Sequence, residues 1–368
     1  MALKLQVGKY DFTPALGGPP KITDQLEAVC RTLEFTARSS KYLDDLYGEQ
    51  VTLWYAGKRW FFGFVFTQKD THAGEIAIKA YDPLIYLKKN PDDYYFESMT
   101  AGQAIKQMAE QVGVKVGRIE DTGAVLPALY YANKAPDKIA VDLIARTYQK
   151  NKKKFWYRFN PDPDAFGLEA FERVLPTKAW AFQYNVNLTK AEVTGSIEET
   201  TPIVRYLNRE TGKEVLLVDA EALKRYGPMR TFKEVNKDDV DDMDKDAAAA
   251  FEKLKGPKKE MALEGINPEG KMPMFFCGDV IYAEERRTRL LGGYYVKNVT
   301  HTFNSDRVVS LAMDIQLQPD IPEVQYENQE SDQKKIGQSG IKSSGGVAGS
   351  GEYNDTVKGL LDKYGLNR

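Results

Sequence analysis

Cysteine and histidine are scarce in this chain of 368 residues: Cys30 and Cys277, His72 and His301. With only Cys30 and Cys277, the chain has no disulfide framework and no zinc cluster. No sign of charge dominates. The 51 Lys and Arg stand against 53 Asp and Glu, a balance of −2 that lacks the basic excess of a general nucleic-acid binder. No stretch approaches the roughly 18 apolar residues of a membrane helix. The opening, MALKLQVGKYDF, has no apolar core of a secretory signal. The expectation is a chain made in a reducing cytoplasm, with no nucleic-acid partner, no membrane insertion, no metal and no cofactor.

What is abundant points to β-structure. The 21 tyrosines head an aromatic content of 11%, and aromatic residues favour pleated, half-buried surfaces. The stretch from Gly48 to Leu87 reads as three strands joined by tight turns. Val51, Leu53 and Tyr55 alternate with Thr52 and Trp54 before the turn Ala56-Gly57. Trp60 to Thr67 returns, interrupted by Gly63. After a turn at His72-Ala73-Gly74, Ile76, Ile78 and Ala80 alternate again. Strands of this kind, close in sequence, form a meander, and a glycine within one marks a bulge or sharp bend.

Along the chain, the fold class expected is mainly β with an α/β insert: two related small β-barrel domains separated by an α/β domain, with a flexible C-terminal tail. Residues 1–88 form the first barrel. Residues 89–183 carry two helices and a hairpin: Thr100 to Gln103 has capping-box form, Pro136-Asp137 opens a second helix, and Phe155 to Phe159 leads into a hairpin. Residues 184–322 form the second barrel, with a helical insertion near 236–255. Residues 323–368 comprise a Gly/Ser-rich linker and a short amphipathic helix presenting Leu360 and Leu361.

Motifs that could carry chemistry fail on inspection. Asp242, Asp244 and Asp246 have the spacing of half a calcium loop, but Ala247 replaces the required glycine and Lys253 the bidentate glutamate. Gly345 to Gly351 resembles a phosphate loop, yet no strand precedes it and no Lys-Ser/Thr follows. Cys277 and His301 lack a third, orienting group. No catalytic residue is assigned. The candidate residues are aromatic or apolar contact positions instead: Trp54, Trp60, Phe61, Tyr294, Tyr295, Leu360 and Leu361.

The meander occurs twice. Gly48 is followed 15 residues later by Gly63, and Gly278 at the same interval by Gly293; Thr71-His72 then parallels Thr300-His301, and the closing strands end at Asp82 and Asp314. The chain reads as two diverged copies of one barrel.

The stretches LEFTARSS, GEQVTLWYAGKRWFFGFVF and IKAYDPLIYLKKN, followed by SMTAGQAI, resemble the XkdQ/YqbQ-type tail proteins of phages and phage-derived particles. That group is similar to the late control protein D and baseplate hub proteins of contractile tails. The resemblance spans roughly residues 1 to 320 and is most specific from Leu33 to Thr100. It implies a homotrimeric, non-enzymatic hub in the baseplate of a virion or tail-like bacteriocin, made in the bacterial cytoplasm. Its implied partners are the tail tube or a tube-initiator protein, the spike and other baseplate proteins. Some relatives carry a cell-wall hydrolase at the C-terminus, so the alternative reading is a tail-associated peptidoglycan hydrolase. A carbohydrate- or receptor-binding β-protein, with Trp54 and Trp60 lining a sugar groove, is a third.

Overall fold

The computed structural model describes residues 3–317 apart from 27, 39–44, 73, 175, 177, 237–239, 241–242, 269 and 305–307. The chain divides into two compact units. One comprises residues 1–190 and 263–368, the other 191–262.

In the larger unit, β1 (Leu3–Val7), β2 (Tyr10–Asp11), β3 (Lys21–Gln25), β4 (Thr32–Arg38), β5 (Gln50–Tyr55), β6 (Lys58–Asp70) and β7 (Glu75–Tyr81) form the first β region. Its alternation does what the pattern predicts: Leu33, Val51, Leu53, Ile76, Ile78 and Ala80 are buried. An α/β segment follows with α1 (Ile85–Lys89), β8 (Asp92–Phe96), α2 (Ala101–Gln111), β9 (Val116–Ile119), β10 (Leu129–Lys134), α3 (Pro136–Asn151), β11 (Phe155–Asn160) and β12 (Gly167–Glu172). The start of α2 is the predicted capping box. Thr100 Oγ1 accepts from the Gln103 N–H at 3.4 Å, and Gln103 Oε1 accepts from the Thr100 N–H at 2.9 Å. The apolar sides of α2 and α3, including Ile105, Met108, Ile139 and Leu143, close over a core that also holds Tyr94, Phe96, Tyr157 and Phe159.

The second β region begins with β13 (Trp180–Gln183) and β14 (Leu188–Ser196). The chain then forms the smaller unit: β15 (Ile203–Leu207), β16 (Glu214–Val218), α4 (Ala220–Tyr226), β17 (Arg230–Glu234) and α5 (Met243–Leu254). It returns along β18 (Lys258–Pro268), β19 (Val280–Glu285), β20 (Leu290–Phe303) and β21 (Val308–Gln316). Strands 203–207 and 214–218 do not join the second barrel. They pair with each other, and β15 also with β17, in a three-stranded sheet whose inner face packs Val204 and Tyr206 with Met243 and Ala247 of α5. The reason is local: two five-residue strands joined by a short loop bury one face against the nearest amphipathic helix. The excursion is therefore larger than a helix at 236–255.

The protein is mainly β, with two related β-barrel regions around an α/β insert. The two regions are joined edge to edge, because β20 pairs antiparallel with β3, placing His301 opposite Ile22. The meanders match at their bases. The Gly48 N–H donates to Val65 O and the Val65 N–H to Glu49 O; the Gly278 N–H donates to Val296 O and the Val296 N–H to Asp279 O, all at 2.8–3.0 Å. Gly48 and Gly278 both have positive φ, +77° and +88°, a conformation that costs glycine little. A bulge follows Val65 in one ladder and Val296 in the other.

The match fails where sequence spacing had aligned glycine, histidine and aspartate. Val51 faces Gly63, whereas its counterpart Ile281 faces Tyr294, so Gly63 and Gly293 are not equivalent. His72 follows the end of β6 while His301 lies inside β20. Asp82 lies past the end of β7, and Asp314 is within β21. The longer β19–β20 turn inserts a residue and shifts the register.

A Cβ on Gly63 would overlap the carbonyl oxygen of Tyr81, whereas one on Gly293 meets nothing within 4 Å. Gly63→Ala should therefore cost about 1–3 kcal/mol and Gly293→Ala within about 0.5–1 kcal/mol, as read from urea denaturation midpoints.

Candidate functional site

The larger unit holds a buried polar joint where four chain segments meet. Arg31 precedes β4 and Asp82 follows β7; both are buried, and Asp82 is fully so. Asp82 Oδ2 accepts from the Arg31 N–H at 3.1 Å and from Arg31 Nε at 3.3 Å, and Oδ1 accepts from the Leu84 N–H at 3.1 Å. The other end of Arg31 donates to Phe159 O on β11 at 3.1 Å and touches Met274 Sδ at 3.3 Å. Its guanidinium lies 4.8 Å from the centre of the Phe276 ring, over which Arg158 also sits at 4.3 Å. Such cation–ring contacts strengthen when water is excluded. Arg158 donates to Asp279 Oδ1 at 2.9 Å, Asp279 Oδ2 accepts from the Phe276 N–H, and Asp24 on β3 accepts from the Cys277 N–H at 3.0 Å. A cavity of about 50 Å³ beside the joint is lined by Asp24, Arg31, Asp82, Asp137, Arg158 and Cys277, among others.

The electrostatics fit a structural joint. Burial pushes the Asp82 carboxyl up to about 6 despite the adjacent Arg31. Burial pushes the Cys30 thiol up to about 12 and the Cys277 thiol well above its ordinary value, so both are thiols at neutral pH. Cys277 Sγ donates to Lys297 O, and His301 Nε2 accepts from the Phe275 N–H at 3.2 Å. With burial and the Arg31 charge holding its pKa near 3, His301 is neutral. Both groups of the suggested nucleophile–base pair are thus bonded to backbone.

Four of the seven expected contact residues belong to the chain's own interior. Trp60, Phe61, Tyr294 and Tyr295 are buried. Trp60 packs edge-on against Tyr55, His301 and Phe303 at 5.3–6.1 Å, bridging the two β regions. Arg173 lies over Tyr295. These four positions are covered whichever face they occupy, so alternation leaves no outward aromatic row among them. Trp54 is half-buried beneath Arg59, which also covers Phe62 and Phe166. Leu360 and Leu361 lie outside the described residues. Asp242 also lies outside them, while Asp244 pairs with Lys213 at 2.6 Å.

A profile of the YQBQ-like family matches residues 21–318. The chain belongs to the YQBQ-like family. It is 27% identical over 267 residues to the phage-like element PBSX protein XkdQ of Bacillus subtilis (strain 168), covering 71% of this chain and 79% of XkdQ. The 43 kDa tail protein of prophage MuSo2 from Shewanella oneidensis superposes with a TM-score of 0.63 at 13% identity, covering 86% of this chain and 97% of that protein. The E. coli protein c3393, a type VI secretion component described as structurally similar to the T4 tail proteins gp27 and gp5, gives a TM-score of 0.52 at 10% identity over 88% of this chain and 77% of its own. This YQBQ-like chain thus shares its fold with phage tail proteins.

Sequence reasoning missed the joint itself. Two signals were available: a charged residue abutting an alternating strand, Arg31 before β4 and Asp82 after β7, and an acid, Asp279, directly after the aromatic-Cys-Gly turn. Asp82→Ala leaves Arg31 buried without its carboxylate and should cost about 3–5 kcal/mol, measured by chemical denaturation. The two titratable groups act oppositely with pH. His301, lowered from 6.5 to about 3, contributes stability that is present above pH 6.5 and lost as pH falls towards 3. Asp82, raised from 3.8 to about 6, contributes a cost that is absent below pH 3.8 and complete above 6. Relative to the native chain, His301→Phe should gain about 1.4 kcal/mol per pH unit as pH falls from 6.5 towards 3, read from urea titrations across that range.

Proposed function

We propose that this protein is a structural baseplate hub of a contractile phage tail or tail-like particle, a homotrimer that joins a hexameric tail tube to a trimeric spike. The observation that carries this reading is the pair of matched meanders, Gly48–Val65 and Gly278–Val296, with the same base hydrogen bonds and the same bulge. Three chains carrying two related β regions each present six related surfaces. A threefold object meets a sixfold ring most simply in that way, since closed symmetric assemblies repeat their contacts around an axis. Membership of the YQBQ-like family and the fold shared with phage tail proteins support the same reading. The role requires buried interface rather than a reaction, and no catalytic step is proposed.

In native mass spectrometry the chain should appear at three times its monomer mass, alone or once mixed with its tube and spike proteins. A protein that stays monomeric in all of these mixtures would sink the proposal.

A further inference from the structure

The matched meanders differ in what covers their outer faces. In the first, the cross-strand pairs Thr52–Phe62 and Trp54–Arg59 face outward. The chain's own β11–β12 loop covers them: Phe62 packs on Phe166 at 4.8 Å and on Phe159 at 6.2 Å, and Arg59 lies over Phe166 at 4.6 Å. The equivalent pairs in the second meander are Tyr282–Gly293 and Glu284–Leu291. Tyr282 is 41% exposed and Leu291 55%. The adjoining turn is basic. Glu285 spends its carboxylate inside it, accepting from the backbone N–H groups of Arg287 and Thr288 and from the Thr288 hydroxyl. Arg286, Arg287 and Arg289 are exposed, and among the described residues Arg286 and Arg289 make no ion pair.

An acidic corner of opposite character lies at the base of the first meander. Asp45, Glu49 and Asp70 are exposed around Tyr47, itself 57% exposed. The corner is held together by Leu46 N–H donating to Gln68 Oε1, Glu49 N–H to Leu46 O, and Gln68 Nε2 to Asp70. Lys9, which borders the same hollow, sits over the Tyr10 ring. Asp45 and Glu49 make no ion pair among the described residues.

We propose that these two patches are the halves of a head-to-tail contact between copies of this chain, with the Tyr282/Leu291 face and its arginine turn seated on the Asp45–Tyr47–Glu49 corner of the next copy. The proposal rests on the homotrimer reading above. A closed ring of three needs two unlike, complementary patches on each chain, and tyrosine and arginine are among the side chains enriched where such contacts are strongest. Opposite charge fixes the register and suppresses like-with-like pairing.

Charge reversal tests it. The double variants Arg286→Glu/Arg289→Glu and Asp45→Lys/Glu49→Lys should each shift the full-length protein from trimer to monomer mass in native mass spectrometry, with far-ultraviolet circular dichroism unchanged. The quadruple variant, carrying both reversals, should return to trimer. Trimers that survive either double reversal, or a quadruple variant that stays monomeric, overturn the contact while leaving the trimer intact as a reading. A native chain that remains monomeric with its tube and spike proteins present overturns both.

Discussion

Arg31 and Asp82 are charges taken out of water, and almost everything else in the larger unit is arranged so that they can be. Removing two ions from solvent costs several kcal/mol each unless remaining hydrogen-bonding capacity is filled. Here it is filled from four places: the N–H of Leu84, the carbonyl of Phe159 in the α/β segment, the thioether of Met274 and the ring of Phe276 before β19. These groups come from three separate stretches of chain. The pair is therefore satisfied only when the first β region, the α/β segment and the approach to the second β region are all in place. A buried ion pair of this kind adds little net stability over an apolar substitute; its effect is on which arrangement of the segments is allowed. The aromatic cluster of Tyr55, Trp60, His301 and Phe303 supplies the apolar burial that the charges do not.

That joint also accounts for the unequal treatment of two related meanders. The first is held against the α/β segment by Phe62, Phe159 and Phe166, close to where Arg31 reaches Phe159. The second is connected through Arg158, Asp279 and Phe276 at its base, so its outer strand face is left open. The same ladder, with the same glycine at its foot and the same bulge, ends up with one face inside the protein and the other in solvent. Covering depends on the neighbouring segment, and the segment of α1–β12 packs on the first meander.

The features visible in the sequence were those with short-range causes. Period-two alternation in Ile76, Ile78 and Ala80 and the Thr100–Gln103 capping box each act over a few residues, and the structure has them where the spacing puts them. The repeat was visible through Gly48 and Gly278, because positive φ at the foot of each ladder demands glycine. Its extension to His72 and His301 does not hold: counted from the matched Val65 and Val296, His72 lies beyond the end of β6 while His301 lies inside β20. The contact residues were the least visible. Alternation says that neighbouring strand residues face opposite sides, but not whether each side is covered. Trp60, Phe61, Tyr294 and Tyr295 are aromatic because two β regions and an α/β segment close around them, information carried by segments more than 200 residues apart in the case of Trp60 and Phe303.

Duplication alone gives a chain two like patches, and like patches pair by twofold symmetry, which closes at a dimer. A ring of three needs patches that differ. Divergence between the meanders supplies that difference: Thr52 and Phe62 face the chain's own loop, while Tyr282 and Gly293 do not. The short Ala56-Gly57 turn of one copy is replaced in the other by Arg286, Arg287, Thr288 and Arg289. Enough likeness survives in the backbone ladders, with the same base hydrogen bonds and the same bulge, to serve the sixfold role proposed above. Enough is lost in the side chains for each chain to present two unlike ends, which the proposed head-to-tail contact requires.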